Sequence, residues 1–129
     1  MRPRGIVIDV RPSVAYQPAL AIRGRRGRHV VGAIRRAPDP GLVGAQRGVE
    51  QVVREGWFDV VWRGRRRRVS RYRDLADLRR LISVNDNWTI DADVRRRLSA
   101  AWRDHAGQDP IEIARVFSLT ILRKRARRR

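Results

Sequence analysis

The sequence contains no cysteine, and lysine, histidine and methionine are nearly absent from its 129 residues. Without cysteine the chain has no disulfide, no thiolate zinc site and no cysteine nucleophile. Its longest apolar runs, such as residues 6–8 and 60–62, are far shorter than the roughly 20 residues that span a bilayer. The first residues alternate charge with proline and lack the apolar centre of a secretory signal. We therefore expect a protein of the cytoplasm that does not enter membranes.

Acidic residues are also scarce, with 13 against 31 basic residues, so the formal net charge is +18. Lys124 is the only lysine, and all other basic residues are arginines. One explanation is an anionic partner, because arginine clusters neutralise phosphates and release counterions. The other is the codon composition of a GC-rich genome, which favours arginine over lysine. Codon composition explains the choice of arginine better than it explains the excess of base over acid, and both explanations stay open.

The spacing of apolar residues predicts a mixed chain of strands and helices. Alternating or continuous β-branched runs indicate strands, and apolar residues three or four apart indicate helices. The order is strand, hairpin, helix, strand, two helices, strand. The predicted strands cover residues 5–10, 19–23, 29–34, 57–62 with a resumption at 69–72, and 111–122; the helices begin near Asp39, Asp74 and Asp91 and end before Gly56, Asn85 and Gly107.

The first strand, Gly-Ile-Val-Ile-Asp-Val over residues 5–10, is apolar on both faces. Such a run is typical of a central strand that helices cover on both sides. No parallel neighbour with a crossover helix precedes it in this sequence, as a central strand of an α/β sheet would require. The first strand of the sequence is therefore predicted to be a central strand of its sheet, although no neighbouring strand precedes it in this sequence.

This segment is similar to one found in a known family. Residues 1–10, Met-Arg-Pro-Arg-Gly-Ile-Val-Ile-Asp-Val, resemble the Leu-Arg-Pro-Gly-Gly segment and apolar strand that introduce the fifth strand of class I S-adenosylmethionine-dependent methyltransferases. Gly5 matches the second glycine of that pattern, whereas Arg4 replaces the first. The helix that ends in Gly56-Trp57-Phe58 and the closing strand from Phe117 to Lys124 also resemble the elements after the fifth strand of that family.

The resemblance implies an α+β (partial α/β) fold: the last strands of an incomplete Rossmann-like methyltransferase sheet, with a hairpin and a helical insertion over residues 74–105. It implies a single domain over residues 1–122 and a basic disordered tail over 123–129. The chain would be a methyltransferase-like C-terminal fragment, from a split, truncated or remnant enzyme, that is inactive alone.

The resemblance assigns no catalytic and no cofactor-binding residue to this chain. The family holds S-adenosylmethionine with a glycine-rich turn after its first strand and an acidic residue after its second, and both would lie upstream of Met1. Gly24-Arg25-Arg26-Gly27 is not a substitute, because it joins two strands rather than a strand and a helix. We therefore expect S-adenosylmethionine to bind only when a complementary cofactor-binding chain completes the site.

Two other functions remain open. One is a nucleic-acid-binding protein that contacts phosphates through its arginine clusters, for which the alternative is a solvated edge strand and a solvated tail. The other is an interaction module that self-associates through exposed sheet edges. The candidate phosphate-binding residues are Arg63, Arg65, Arg66, Arg67, Arg68, Arg123, Lys124, Arg125, Arg127, Arg128 and Arg129.

A few further residues are candidates for a site. Asp9 and Arg11 end the first strand, where α/β sheets place ligands, so they are candidates for the edge of a pocket. The two histidines are far apart and have no acidic neighbour at metal-ligand spacing, so we predict no metal site. Three of the four tryptophans fall in apolar stripes or strands, which favours core packing over base stacking, and Trp88 is the least determined.

Overall fold

The computed structural model describes residues 5–126 and has a mixed α+β fold with three helices and a mostly antiparallel sheet. The predicted order of elements is confirmed, with two additional short strands. The elements are β1 (Ile6–Pro12), β2 (Ala19–Gly24), β3 (Gly27–Ala33), β4 (Arg35–Arg36), α1 (Pro40–Arg54), β5 (Phe58–Tyr72), α2 (Leu75–Val84), β6 (Trp88–Thr89), α3 (Ala92–Trp102) and β7 (Ile111–Lys124). Among the described residues, no helix has the length and apolar character needed to cross a membrane.

The last strand, β7, organises the pairing. Its C-terminal half pairs antiparallel with β1, from Ile6 opposite Arg123 to Pro12 opposite Phe117. Its N-terminal half pairs antiparallel with β2, and β2 forms the predicted hairpin with β3. β5 also pairs with β7, and β4 and β6 form a separate two-stranded sheet.

Two compact units divide the described residues. Unit 1 contains residues 5–14, 39–66 and 117–126, and unit 2 contains residues 15–38 and 67–116. Unit 2 holds the hydrophobic core, in which α2 and α3 bury an apolar stripe, as amphipathic helices do. Its fully buried large side chains are Leu20, Ile22, Val31, Ile34, Leu78, Ile111 and Ile113.

Gly32 allows α3 to pack closely on the hairpin in unit 2. Residues other than glycine rarely adopt its φ of 150°, and a Cβ at this position would lie 2.8 Å from Val94 Cγ2. Glycine is therefore required at this position both for the backbone conformation and for the contact with α3.

The helix ends follow the capping residues in the sequence. Asp74 accepts a hydrogen bond from the backbone N–H of Asp77 (2.8 Å), which confirms it as the N-cap of α2. α1 ends at Arg54 and is followed, after its C-cap Glu55, by Gly56 with a left-handed φ of 78°. There the N–H groups of Gly56 and Trp57 donate to the backbone carbonyls of residues 53 and 52, which satisfies two carbonyls of the last turn. Asp91 makes no side-chain capping bond and instead pairs with Arg35.

Three differences from the sequence-based expectation concern β5, β7 and the tryptophans. β5 is one continuous strand of 15 residues that includes the arginine run. β7 extends to Lys124, two residues beyond the predicted end. The expectation that the tryptophans of apolar stripes and strands pack in the core is wrong for Trp57 and Trp62, which are exposed, whereas Trp88 is buried.

Candidate functional site

The outer edge of β1 carries backbone groups without a strand partner. Lys124 N–H donates to Gly5 O at 2.9 Å, so residue 5 faces β7. Alternate residues of an antiparallel strand point their N–H and C=O groups to opposite edges. Ile6, Ile8 and Val10 therefore point theirs away from β7, and β1 ends the strand order among the described residues.

The side chains of this edge are apolar and exposed. Ile6, Ile8 and Val10 alternate along one face and are 60%, 63% and 55% exposed. Val7, on the other face, is also exposed. The expectation that this strand is buried on both faces is therefore wrong within the described residues. Helix α1, in the same unit, buries no residue completely.

β1 and β5 lie on opposite edges of β7 in unit 1. Lys124 N–H points to β1, and the N–H of the next residue, Arg125, donates to Trp57 O at 2.9 Å, immediately before β5. Successive N–H groups in an extended chain point in opposite directions. The order across unit 1 is therefore β1, β7, β5, with β7 antiparallel to β1.

Asp9 and Arg11, the predicted pocket-edge residues, form an ion pair with each other. Arg11 Nε donates to Asp9 Oδ2 at 2.8 Å, and its Nη1 donates to Leu42 O at 3.3 Å, at the start of α1. Both side chains are largely covered. The geometry gives them a role in tying β1 to α1.

Three arginines surround one buried carboxylate in unit 2, and we call Glu112, Arg23, Arg28 and Arg71 the Glu112 cluster. Arg28 Nε donates to Glu112 Oε2 at 2.9 Å, and the Nε atoms of Arg23 and Arg71 lie 3.5 and 3.6 Å from Oε1. The Glu112 side chain is only 6% exposed. Three guanidinium groups and one carboxylate leave the cluster with an excess of positive charge.

The carboxylate explains how two arginines face each other in the hairpin. Arg23 and Arg28 are directly opposite in the β2–β3 register, an arrangement that is destabilising for like charges. Glu112 pairs with Ala21, two residues from Arg23, and so shares its face of the sheet. A single acidic residue in the buried run Ile-Glu-Ile-Ala at 111–114 was the sequence signal for this cluster, and sequence reasoning missed it.

The predicted phosphate-binding arginines are exposed. The side chains of Arg63, Arg66, Arg67 and Arg68 form no hydrogen bond or ion pair with another described residue, whereas Arg65 does have an interaction. Arg123 and Lys124 are exposed at the end of β7. Arg127, Arg128 and Arg129 lie outside the described residues.

Arg125 is engaged rather than free. Its Nε donates to Asp59 Oδ1 at 2.6 Å. This hydrogen bond, together with the positive charges of Arg125 and Arg123, lowers the pKa of Asp59 despite opposing desolvation. The same hydrogen bond raises the pKa of Arg125. The pair links the residue that follows β7 to the start of β5.

The glycine-rich turn of residues 24–27 lies between two strands and not between a strand and a helix. This turn closes an antiparallel hairpin, and a Cβ on Gly24 would lie 3.1 Å from Asp104 O, so this backbone faces the α3–β7 connection. Within residues 5–126 no group of three or more histidines or carboxylates is arranged to hold a metal ion. His105 stacks on Trp102 with ring centroids 3.9 Å apart.

Comparison with known proteins adds no relative: no protein-family model, no curated protein and no solved structure matches this chain.

Proposed function

We propose that this chain is the C-terminal part of a methyltransferase-like sheet, and that a complementary polypeptide completes it by pairing with the outer edge of β1. The complementary polypeptide would hold S-adenosylmethionine, because the glycine-rich turn of residues 24–27 joins two strands rather than leading from a strand into a helix. The chain alone is then not a catalyst. It supplies the closing strands of the sheet.

The free edge of β1 is the observation that carries the proposal. An exposed edge of β-branched residues is a template for pairing with another strand. Ile6, Ile8 and Val10 present both the unpaired backbone groups and an apolar face. A strand added there would bury that face and pair those groups, as in β-strand addition.

The strand order in unit 1 supports the same interpretation. The resemblance takes β1 as the fifth strand of the family, α1 and β5 as the helix and sixth strand that follow, and β7 as the closing strand. Here β7 lies between β1 and β5, and the connection from β1 to β5 contains β2, β3 and β4 as well as α1. The strands that precede the fifth strand of that family would then pair with the edge of β1 opposite β7.

Calorimetry with S-adenosylmethionine tests the proposal. The chain is measured alone and then fused, ahead of Gly5, to the first four strands and intervening helices of a class I methyltransferase. We expect binding only by the fusion. Ile8→Lys should abolish that binding, because it places a charge on the pairing face. Val30→Lys, on the exposed outer strand β3, makes the same change away from β1 and should leave binding intact.

Three results would overturn the proposal. The first is tight cofactor binding by the chain alone. The second is a folded fusion whose binding does not respond to Ile8→Lys. The third is a homodimer in light scattering that Ile8→Lys dissociates, since the edge would then belong to a second copy. Amide exchange gives an independent check, with Ile6, Ile8 and Val10 expected to exchange faster than Val7 and Asp9.

Nucleic-acid binding is a second candidate function, favoured by exposed arginine side chains of β5 that form no hydrogen bond or ion pair with another described residue, namely Arg63, Arg66, Arg67 and Arg68. Polyanion binding through such residues weakens steeply with salt. We expect generic DNA or RNA to bind at low salt, and the Arg66→Gln/Arg68→Gln double variant to reduce the log–log salt slope by about 0.7–0.9 for each phosphate that is no longer bound. Arg47→Gln/Arg54→Gln on α1 removes the same charge and is the matched control. A flat salt response contradicts this function.

A further inference from the structure

A cavity of about 530 Å³ lies in unit 2 between α2, β6 and α3. Its apolar wall is formed by the buried side chains of Leu78, Trp88, Ile90 and Leu98, together with partly buried residues of α2. This volume falls within the range of about 300–1,000 Å³ that small-molecule sites occupy. None of its lining residues belongs to unit 1.

Two arginines lie at this cavity, one from each helix. Arg79 of α2 and Arg95 of α3 are exposed, and neither side chain forms a hydrogen bond or an ion pair with another described residue. No acidic residue is among the described residues that line the cavity, while Ser83, Thr89 and Ser99 add hydroxyl groups. The site thus combines an apolar wall with two uncompensated positive charges.

This combination selects one class of ligand. An uncharged apolar molecule would leave both guanidinium groups without a counter-charge, and a simple inorganic anion would leave the apolar wall in contact with water. A molecule with both an apolar body and an anionic group matches each part, because a guanidinium forms strong charge-assisted hydrogen bonds with a carboxylate or phosphate. We propose that this cavity binds a small amphiphilic anion, of the class of medium-chain carboxylates.

The cavity is independent of the proposed function. It uses α2, β6 and α3, whereas the completed sheet uses the β1 edge, so each can fail without the other. A second cavity of about 470 Å³ beside the hairpin tip is lined in part by the acidic residue Asp104. It serves as the control site within the same protein. Ala100 and Ala101 line that cavity and not the first one.

Methyl NMR of the full chain with decanoate and with 1-decanol tests the inference. Decanoate should shift the methyl signals of Leu75, Ile82 and Leu98, and leave those of Ala100 and Ala101 unchanged. Arg79→Gln and Arg95→Gln should each weaken decanoate about fivefold, as removal of one charge-assisted hydrogen bond at an exposed site implies, without weakening 1-decanol. Arg96→Gln removes the same charge from the next residue of α3, which does not line the cavity, and should change decanoate affinity by less than about twofold.

The wild-type protein provides a test that needs no variant. Raising the salt concentration should weaken decanoate and leave 1-decanol unaffected or slightly stronger, because salt screens only the charged contact. Equal affinity for decanoate and 1-decanol would overturn the inference, as would shifts spread over both cavities or no binding of decanoate. Ser99→Phe, which fills the cavity from its exposed side, should abolish the shifts, and persistence of binding in that variant would also contradict the site.

Discussion

The two units of the molecule contain similar apolar residues but bury them to very different extents. Of the fourteen buried hydrophobic residues among those described, thirteen belong to unit 2, and Leu122 alone belongs to unit 1. Most of the exposed large hydrophobic residues, in contrast, belong to unit 1. Unit 2 therefore has a core of its own, and unit 1 has apolar surface that no described residue covers.

The difference in burial is caused by the helices that pack on the strands and not by the strands themselves. β1 and the start of β7 both carry isoleucines at alternate positions, yet Ile8 is exposed and Ile113 is fully buried. In unit 2, α2 and α3 pack their apolar stripes on the sheet. In unit 1, α1 buries none of its residues completely. The sequence of a strand thus shows which apolar side chains need burial, but whether they are buried depends on other elements that pack against the strand.

Truncation of an apolar side chain should show the largest difference between the two units in the free energy of unfolding. Leu78→Ala in unit 2 is expected to lower the free energy of unfolding by about 2–5 kcal/mol, because it removes buried apolar surface and leaves a cavity behind. Ile8→Ala in unit 1 should lower it by about 0.5 kcal/mol or less, because the side chain is already exposed. Urea unfolding measures both. Equal losses would mean that unit 1 has a core of its own.

Removal of the buried carboxylate should have the next largest effect. Glu112→Gln leaves Arg23 and Arg28 opposite each other without a counter-charge. We expect a loss of about 1–3 kcal/mol, less than for a fully buried pair because the arginines are partly exposed. Asp104→Asn, which breaks an exposed pair with Arg25, should cost below about 0.5 kcal/mol. If both variants unfold at the same urea concentration, the Glu112 cluster does not stabilise unit 2.

The sequence was sufficient for the local structure because local structure depends on local chemistry. Asp74 caps α2 since a carboxylate can accept from the N–H groups of a first turn, and Gly56 ends α1 since glycine adopts a positive φ. The element order is likewise encoded in the apolar spacing. These features need no knowledge of what each element packs against.

The errors concern burial and long-range pairing. Trp57 and Trp62 have the pattern of a strand with a buried face, but burial depends on a second layer that the pattern does not specify. The Glu112 cluster joins a hairpin that carries Arg23 and Arg28 to Arg71 and Glu112, which are distant from it in sequence, so its members do not form a motif. The arginine run does not interrupt β5, because charge and strand geometry are independent when the strand is exposed.

Two helix caps test whether the units unfold together. Asp74→Ala should lower the unfolding free energy by about 1 kcal/mol, because α2 belongs to the core of unit 2. Asp39 makes the equivalent bond to Gly41 N–H at 2.9 Å in α1. Asp39→Ala should instead speed amide exchange in α1 and leave the main transition unchanged. An equal shift of the main transition by both variants would show that the units unfold as one.

The smallest expected effect is the pH response of the exposed pair in unit 1. Arg125 holds the pKa of Asp59 below its ordinary 3.8, chiefly through the hydrogen bond. A pKa that is lower in the folded state gives stability that is complete above the unfolded value and is lost as the pH falls through the folded one. NMR titration of the Asp59 carboxyl should show a pKa that rises toward 3.8 in Arg125→Gln. Arg123→Gln, which removes only a charge, should raise it less. If the two variants raise it equally, the positive charge of the strand end rather than the hydrogen bond sets the pKa, and Arg125 does not fasten β7 to β5.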